Sequence, residues 1–231
     1  MTASVKVGDL TFDVVRSARR KKVEISIERD GSLVLRAPEA ADDARLLRFA
    51  TRKRGWVYEK LARRALLAPI VPRREFVTGE SFRYLGRSYR LLLVDDQAQP
   101  LKLVEGRFRL TRSAATEGRL HFVAWYTEHA TPWLKRRVAE WASRLGAGEP
   151  TLDVTDLGFR WGSCGPGGRL SFNWSTITLP PPMIDYVVVH ELAHVRHAHH
   201  GAEFWAAVAR AMPDHEARKR WLAENGAGYV V

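Results

Sequence analysis

The sequence predicts an α+β chain in two parts, a basic β-rich N-terminal region with one long helix and a C-terminal part built around a histidine-bearing helix. Three patterns carry this reading. Apolar and polar residues alternate over residues 5–38 and short strand-like runs recur between 82 and 110, apolar residues recur at helical spacing across 117–146, and five of the eight histidines fall within 186–205. Alternation is the period of a strand, and spacing of three to four is that of a helix. The expected division is 1–115 and 116–231.

Val23, Ile25 and Ile27, then Leu33 and Leu35, sit on either side of Asp30-Gly31 and predict a hairpin. Asp42 and Asp43 open a helix whose inward residues are Leu46, Ala50, Val57 and Leu61, with Arg63 and Arg64 near its end as the macrodipole prefers. Arg45, Arg48 and Arg52 line one face of it, either as a solvated side or as a phosphate-tracking stripe. Pro69, Pro72, Arg73 and Arg74 read as a linker. Phe82 and Tyr84, then Tyr89, Leu91 and Leu93, flank Leu85-Gly86-Arg87-Ser88 as a second hairpin, and short strands follow at 101–104 and 107–110.

A helix is expected over 117–146, with Trp125, Tyr126, Ala130, Trp133, Val138, Trp141 and Leu145 facing inward, Gly146 as its stop and Pro132 bending or splitting it. Strands at 151–159 and 170–179 are joined by a turn containing Gly162, Gly165, Pro166, Gly167 and Gly168. Pro180-Pro181-Pro182 then start the histidine helix, against the strand propensity of Val187-Val188-Val189. Phe204, Trp205, Val208 and Met212 pack a further helix, and Trp221 and Leu222 a last short one.

The chemistry lies in His190-Glu191-Leu192-Ala193-His194. Residues four apart share a helix face, so His190 and His194 offer two imidazoles to one metal, while Glu191 points about 100° away and stays free as a general base. A catalytic zinc site takes a third protein ligand and keeps one position open. His200 is the preferred third, arriving from beyond the helix before Gly201; His197, His199 and Glu203 are alternatives. Arg160, Ser163, Asn173 and Tyr186 are candidate substrate contacts. Cys164 has no spacing that ties it to a base.

Bulk properties bound the rest. A single cysteine excludes an intramolecular disulfide and a Cys-x-x-Cys metal site, and the Pro-Cys-x-x-Cys of zinc deaminases is absent. Neither a secretory signal nor a membrane-length apolar run is apparent, so a cytoplasmic location is expected and no membrane partner. The net charge is +11, and residues 1–75 hold 18 Lys plus Arg against 10 Asp plus Glu. That asymmetry suggests nucleic acid as a partner of the N-terminal half, although no nucleic-acid fold motif is present.

The stretches RWGSC at 160–164, LSFNWSTITLP at 170–180 and IDYVVVHELAHVRHAHHGAEFW at 184–205 resemble the YgjP-like zinc metallopeptidases, relatives of the SprT-like and Wss1-like proteases. Residues 17–38 and 78–91 are similar to that family's N-terminal part. The resemblance implies a minimal zincin-like domain with a backing helix, a small sheet whose cleft edge would be 170–179, and the His-Glu-x-x-His helix. It also implies one zinc per chain and a protein or peptide substrate, with DNA-bound proteins suggested by the relatives. Gly201 departs from the cap-forming residue expected there.

Overall fold

A computed structural model describes residues 4–27, 32–67, 74–158 and 160–229, the side chains of 62–67 excepted. The Asp30-Gly31 turn, Pro69, Pro72, Arg73 and Phe159 lie outside the described residues, as do the side chains of Arg63 and Arg64. The chain forms two compact units, 1–68 and 69–231.

The first unit holds β1 (Ser4–Val7), β2 (Leu10–Ser17), β3 (Glu24–Ile27), β4 (Leu33–Pro38) and α1 (Asp43–Leu67). Its sheet runs β1-β2-β4-β3, with β2 parallel to β4 and the outer pairs antiparallel. Ile27 pairs with Leu33, so the predicted hairpin forms. Val5, Val7, Leu10, Phe12 and Val14 alternate inward along β1 and β2, and Leu46, Ala50 and Val57 from α1 join them in one core.

The second unit opens with β5 (Ser81–Tyr84), β6 (Arg87–Val94), β7 (Leu101–Val104), β8 (Arg107–Thr111) and the long α2 (Gly118–Leu145). Its sheet order is β5-β6-β8-β7, again with the inner pair parallel and the outer pairs antiparallel. The two units therefore open with the same four-strand, one-helix topology, a repeat that the divergent side chains hide. The β5–β6 turn is shorter than expected: only Leu85 and Gly86 lie outside the ladder, with φ of 48° and 78°, and Arg87 and Ser88 already pair. Positive φ at both positions gives the turn a twist matched to that of the strands.

The division differs from the expected 115/116. The second sheet belongs with the helices that follow, because Phe82 stacks on Phe122 of α2 at 3.9 Å and Phe108 meets Trp125 edge-on at 4.9 Å. Gly146, at φ 60°, caps α2 as expected. Pro132 does not split α2, which is buried both against its sheet and against the elements that follow; such packing outweighs one lost backbone bond. Thr127, His129 and Thr131 each bond the carbonyl four residues back, at 2.8 Å.

A three-stranded sheet follows, in the order β10-β11-β9, from β9 (Leu152–Thr155), β10 (Gly162–Cys164) and β11 (Leu170–Asn173). Two expectations change here. Residues 170–179 are not the edge: β11 lies between its two neighbours, and 174–178 form a buried 3-10 turn. The edge strand at the cleft is β10, which takes Gly162 and Cys164 out of the expected turn because they pair with Phe172 and Leu170. The chain ends with α3 (Pro181–Arg196), α4 (Ala202–Ala211) and α5 (His215–Asn225). Val187, Val188 and Val189 are helical and buried, tertiary contact overriding their strand preference. Among the described residues no helix is long and apolar enough to cross a membrane.

One polar clamp ties α2 to α3. The Arg137 guanidinium donates to both Asp185 oxygens, at 2.7 and 2.6 Å, and also to Glu140, while Asp185 is largely buried. Removing one member strands the other away from water. Arg137→Ala is expected to cost about 3 kcal/mol. For a protein of this size the melting temperature should then fall by roughly 6–12 °C in a circular-dichroism melt.

Candidate metal centre

The centre is assembled by α3 and the five residues that follow it. His190 and His194 lie one turn apart on α3, and the helix stops at Arg196. His197 leaves it with extended angles of φ −128° and ψ 94°, and the returning chain delivers His200 just before Gly201, the N-cap of α4. The His200 Nε2 lies 2.9 Å from His190 Nε2 and 3.1 Å from His194 Nε2. These three are the one grouping of three metal-capable side chains among the described residues.

The donor set fits a tetrahedral metal. Zn–N bonds of 2.0–2.1 Å place neighbouring ligand nitrogens about 3.4 Å apart, a small expansion from what is seen. His194 Nδ1 lies 3.0 Å from the His197 carbonyl, which holds the proton on Nδ1 and leaves Nε2 its lone pair. Burial, then the neighbouring His194 and His200, push His190 down to about 3, and His200 is lowered too, first by burial and then by His194. Neutral imidazole is the ligating form. The His197 side chain faces Glu203 at 3.7 Å, and Glu203 is largely solvent-exposed, so neither joins the cluster.

Phe204, fully buried on α4, touches all three rings, with centroids at 5.0 Å from His190, 4.5 Å from His194 and 4.7 Å from His200. Trp205 stacks on His200 at 5.8 Å and on His215 at 5.9 Å, and Lys219 caps its face at 4.3 Å. The aromatic pair fixes the His200 ring, which arrives on a loop.

Glu191 is 7% exposed. Burial raises its carboxyl to about 7, with Arg160 and the Cys164 backbone amide, which donates to it, pulling the other way. β10 lies against this side chain: a Cβ at Gly162 would stand 2.6 Å from Glu191 Cγ and 3.0 Å from Oε1. Only glycine fits there. The sequence predicts Gly162 in a turn, and its place in RWGSC, next to the histidine helix in space only, carries no signal of this contact.

An open cleft is lined by Arg160, Gly162, Ser163, Cys164, Glu191 and the three histidines. Arg160 Nη1 donates to Ser163 Oγ at 3.2 Å, so both of those candidate substrate contacts do lie at the cleft. Asn173 does not. It is 2% exposed, its Oδ1 accepts from Ser175 N and Oγ at 2.9 and 2.8 Å, and its Nδ2 donates to Gly158 O at 3.1 Å, which spends it on holding the turn after β11. Tyr186 packs its ring 6.0 Å from His190, is mostly buried outside the cleft lining, and is pushed up to about 12 by burial, then Glu216 and Glu191. Burial, then Glu191, also raises the Cys164 thiol, the reverse of what a nucleophile needs.

A family model described as YgjP-like, metallopeptidase domain, matches residues 21–225. No curated protein matches. Among solved structures, the metallopeptidase zymogen of Pyrococcus abyssi abylysin matches 39% of this chain and 92% of its own, at 18% identity and a TM-score of 0.36. A likeness that distant carries no argument about this site.

The geometry makes the ligand set testable by elemental analysis of untagged protein. His194→Ala and His200→Ala should lose the metal, whereas His197→Ala, whose carbonyl role survives, and Glu203→Gln should keep it at the wild-type level. Retention in His200→Ala would remove the three-histidine assignment.

Proposed function

The chain belongs to the YgjP-like metallopeptidase family, and from that premise we propose that it hydrolyses peptide bonds of protein substrates with one zinc ion held by His190, His194 and His200. The observation that carries the reading is the pairing of three convergent imidazole nitrogens with a buried, strand-braced carboxylate in one cleft. Zinc held there would polarise the scissile carbonyl and bring a water near a pKa of about 7. Everything else falls to the chain's own groups.

Glu191 is the general base. Its carboxylate takes a proton from the attacking water and returns it to the departing amine as the C–N bond breaks. Gly162 and the Cys164 amide fix where that carboxylate stands. The substrate backbone would add alongside β10, an edge strand with a partner on one side only, and main-chain bonding of that kind is largely indifferent to sequence. Arg160, exposed at the rim, is placed to favour the ionised form of Glu191 and to meet a substrate oxygen. A non-catalytic zinc adaptor has no use for a buried carboxylate braced in this way. The single cysteine suits a cytoplasmic setting.

Three outcomes are expected with an unfolded-protein substrate. Glu191→Gln should retain wild-type metal and lose hydrolysis; activity surviving in a clean preparation would remove Glu191 as base. The base works only when ionised, so kcat/KM should rise with pH through an acid limb. A bound dication favours the carboxylate, which places that limb below 7. Gly162→Ala should lower kcat by about 100-fold with metal retained, because it displaces Glu191 by up to about 1 Å. Partial recovery when the shorter Glu191→Asp is combined with Gly162→Ala would mark the effect as positional.

A further inference from the structure

α1 and α2 follow sheets of the same strand order, and α2 also packs against the elements that follow it in its own unit. The outer side of α1 is unusual for a merely solvated helix face. Counting about 100° per residue from the buried Leu46, Gly55 falls about 180° away, directly opposite the core. Arg48, Arg52 and Arg45 lie within about 80° of it, and Trp56 about 100°. All three arginines are exposed, and none pairs with a carboxylate among the described residues; Glu59 is the acid on that side of the helix. Trp56 is 39% exposed.

Gly55 is the second observation. A Cβ there would meet nothing within 4 Å, and its φ is not positive, so neither space nor backbone conformation in this chain calls for glycine. Glycine in an exposed helix interior is nonetheless among the most destabilising choices. It has a use where another backbone approaches the helix closely.

We propose that the outer face of α1 binds single-stranded nucleic acid, with Arg45, Arg48 and Arg52 on phosphates, Trp56 stacked on a base and Gly55 admitting the strand to the helix surface. Unpaired cations beside an exposed indole form the combination that single strands recognise: charge on the backbone and an aromatic face for a base. The proposal is independent of the peptidase reading, since no metal-centre residue takes part.

The test is fluorescence anisotropy of a short labelled single strand with the full chain over a salt series, metal content and melting temperature being read on each variant. Wild-type affinity should fall steeply with salt. The triple variant R45E/R48E/R52E should bind at least tenfold more weakly, with the slope of log K against log salt reduced by about 2. Trp56→Ala should weaken binding by about tenfold. Gly55→Ala is the sharpest arm: it should raise the melting temperature and yet weaken binding, whereas a purely structural glycine would give the first effect alone. The proposal is overturned by salt-independent or absent binding, by an unaffected triple variant, or by Gly55→Ala that stabilises with binding intact. Displacement of the strand by polyglutamate as readily as by unlabelled strand would also overturn it, making an acidic protein the occupant.

Discussion

A carboxylate is costly to take out of water, and the burial of Glu191 is the constraint from which much of the C-terminal unit follows. It has to be approached closely enough to be shielded and still be left a donor. β10 meets both needs: glycine at 162 allows contact with the side chain, and the Cys164 amide supplies the hydrogen bond. A strand can come that near only if the helix bearing Glu191 is itself fixed. The Arg137–Asp185 clamp and the buried valines of α3 do this from the opposite side. A buried ion pair between α2 and α3 thus supports a buried carboxylate on another face of α3.

To hold a metal, the three clustered histidines would each have to stay neutral with the Nε2 lone pair turned inward. Burial first of all lowers His190, and also His200, toward the neutral form, and the His197 carbonyl fixes the tautomer of His194. Phe204 reaches all three rings, so packing and ligand geometry are set by one side chain. His200 depends on this most, as its own backbone lies in a loop rather than in a helix.

The repeated four-strand, one-helix topology shows how one scaffold serves two ends. In the second copy the helix becomes a wall between a sheet and the histidine-bearing elements, and side chains on both of its packed sides are apolar or clamped. In the first copy the helix keeps a single apolar face toward its sheet and turns arginines outward. Helix burial on one side or on two accounts for the contrast in apolar content.

Much of this was legible in the chain itself. The two hairpins, the long helices and the glycine cap at Gly146 follow from alternation, helical spacing and cap chemistry, all of which act between residues close in sequence. The pairing of His190 with His194 and the offset of Glu191 by about 100° from His190 are properties of one helix and needed nothing else. Tertiary structure decided the rest. The approach of His200, which the sequence already favours over His197, to His190 and His194 depends on where α3 stops and how the chain returns. The exchange of residues 170–179 for β10 as the cleft edge turned on strand order, and the loss of Asn173 as a substrate contact on its capture by a local turn. The fit of Gly162 against Glu191 joins residues 29 positions apart. Local periodicity records which face of an element is apolar; which distant residue fills the space against that face is fixed only when the elements pack.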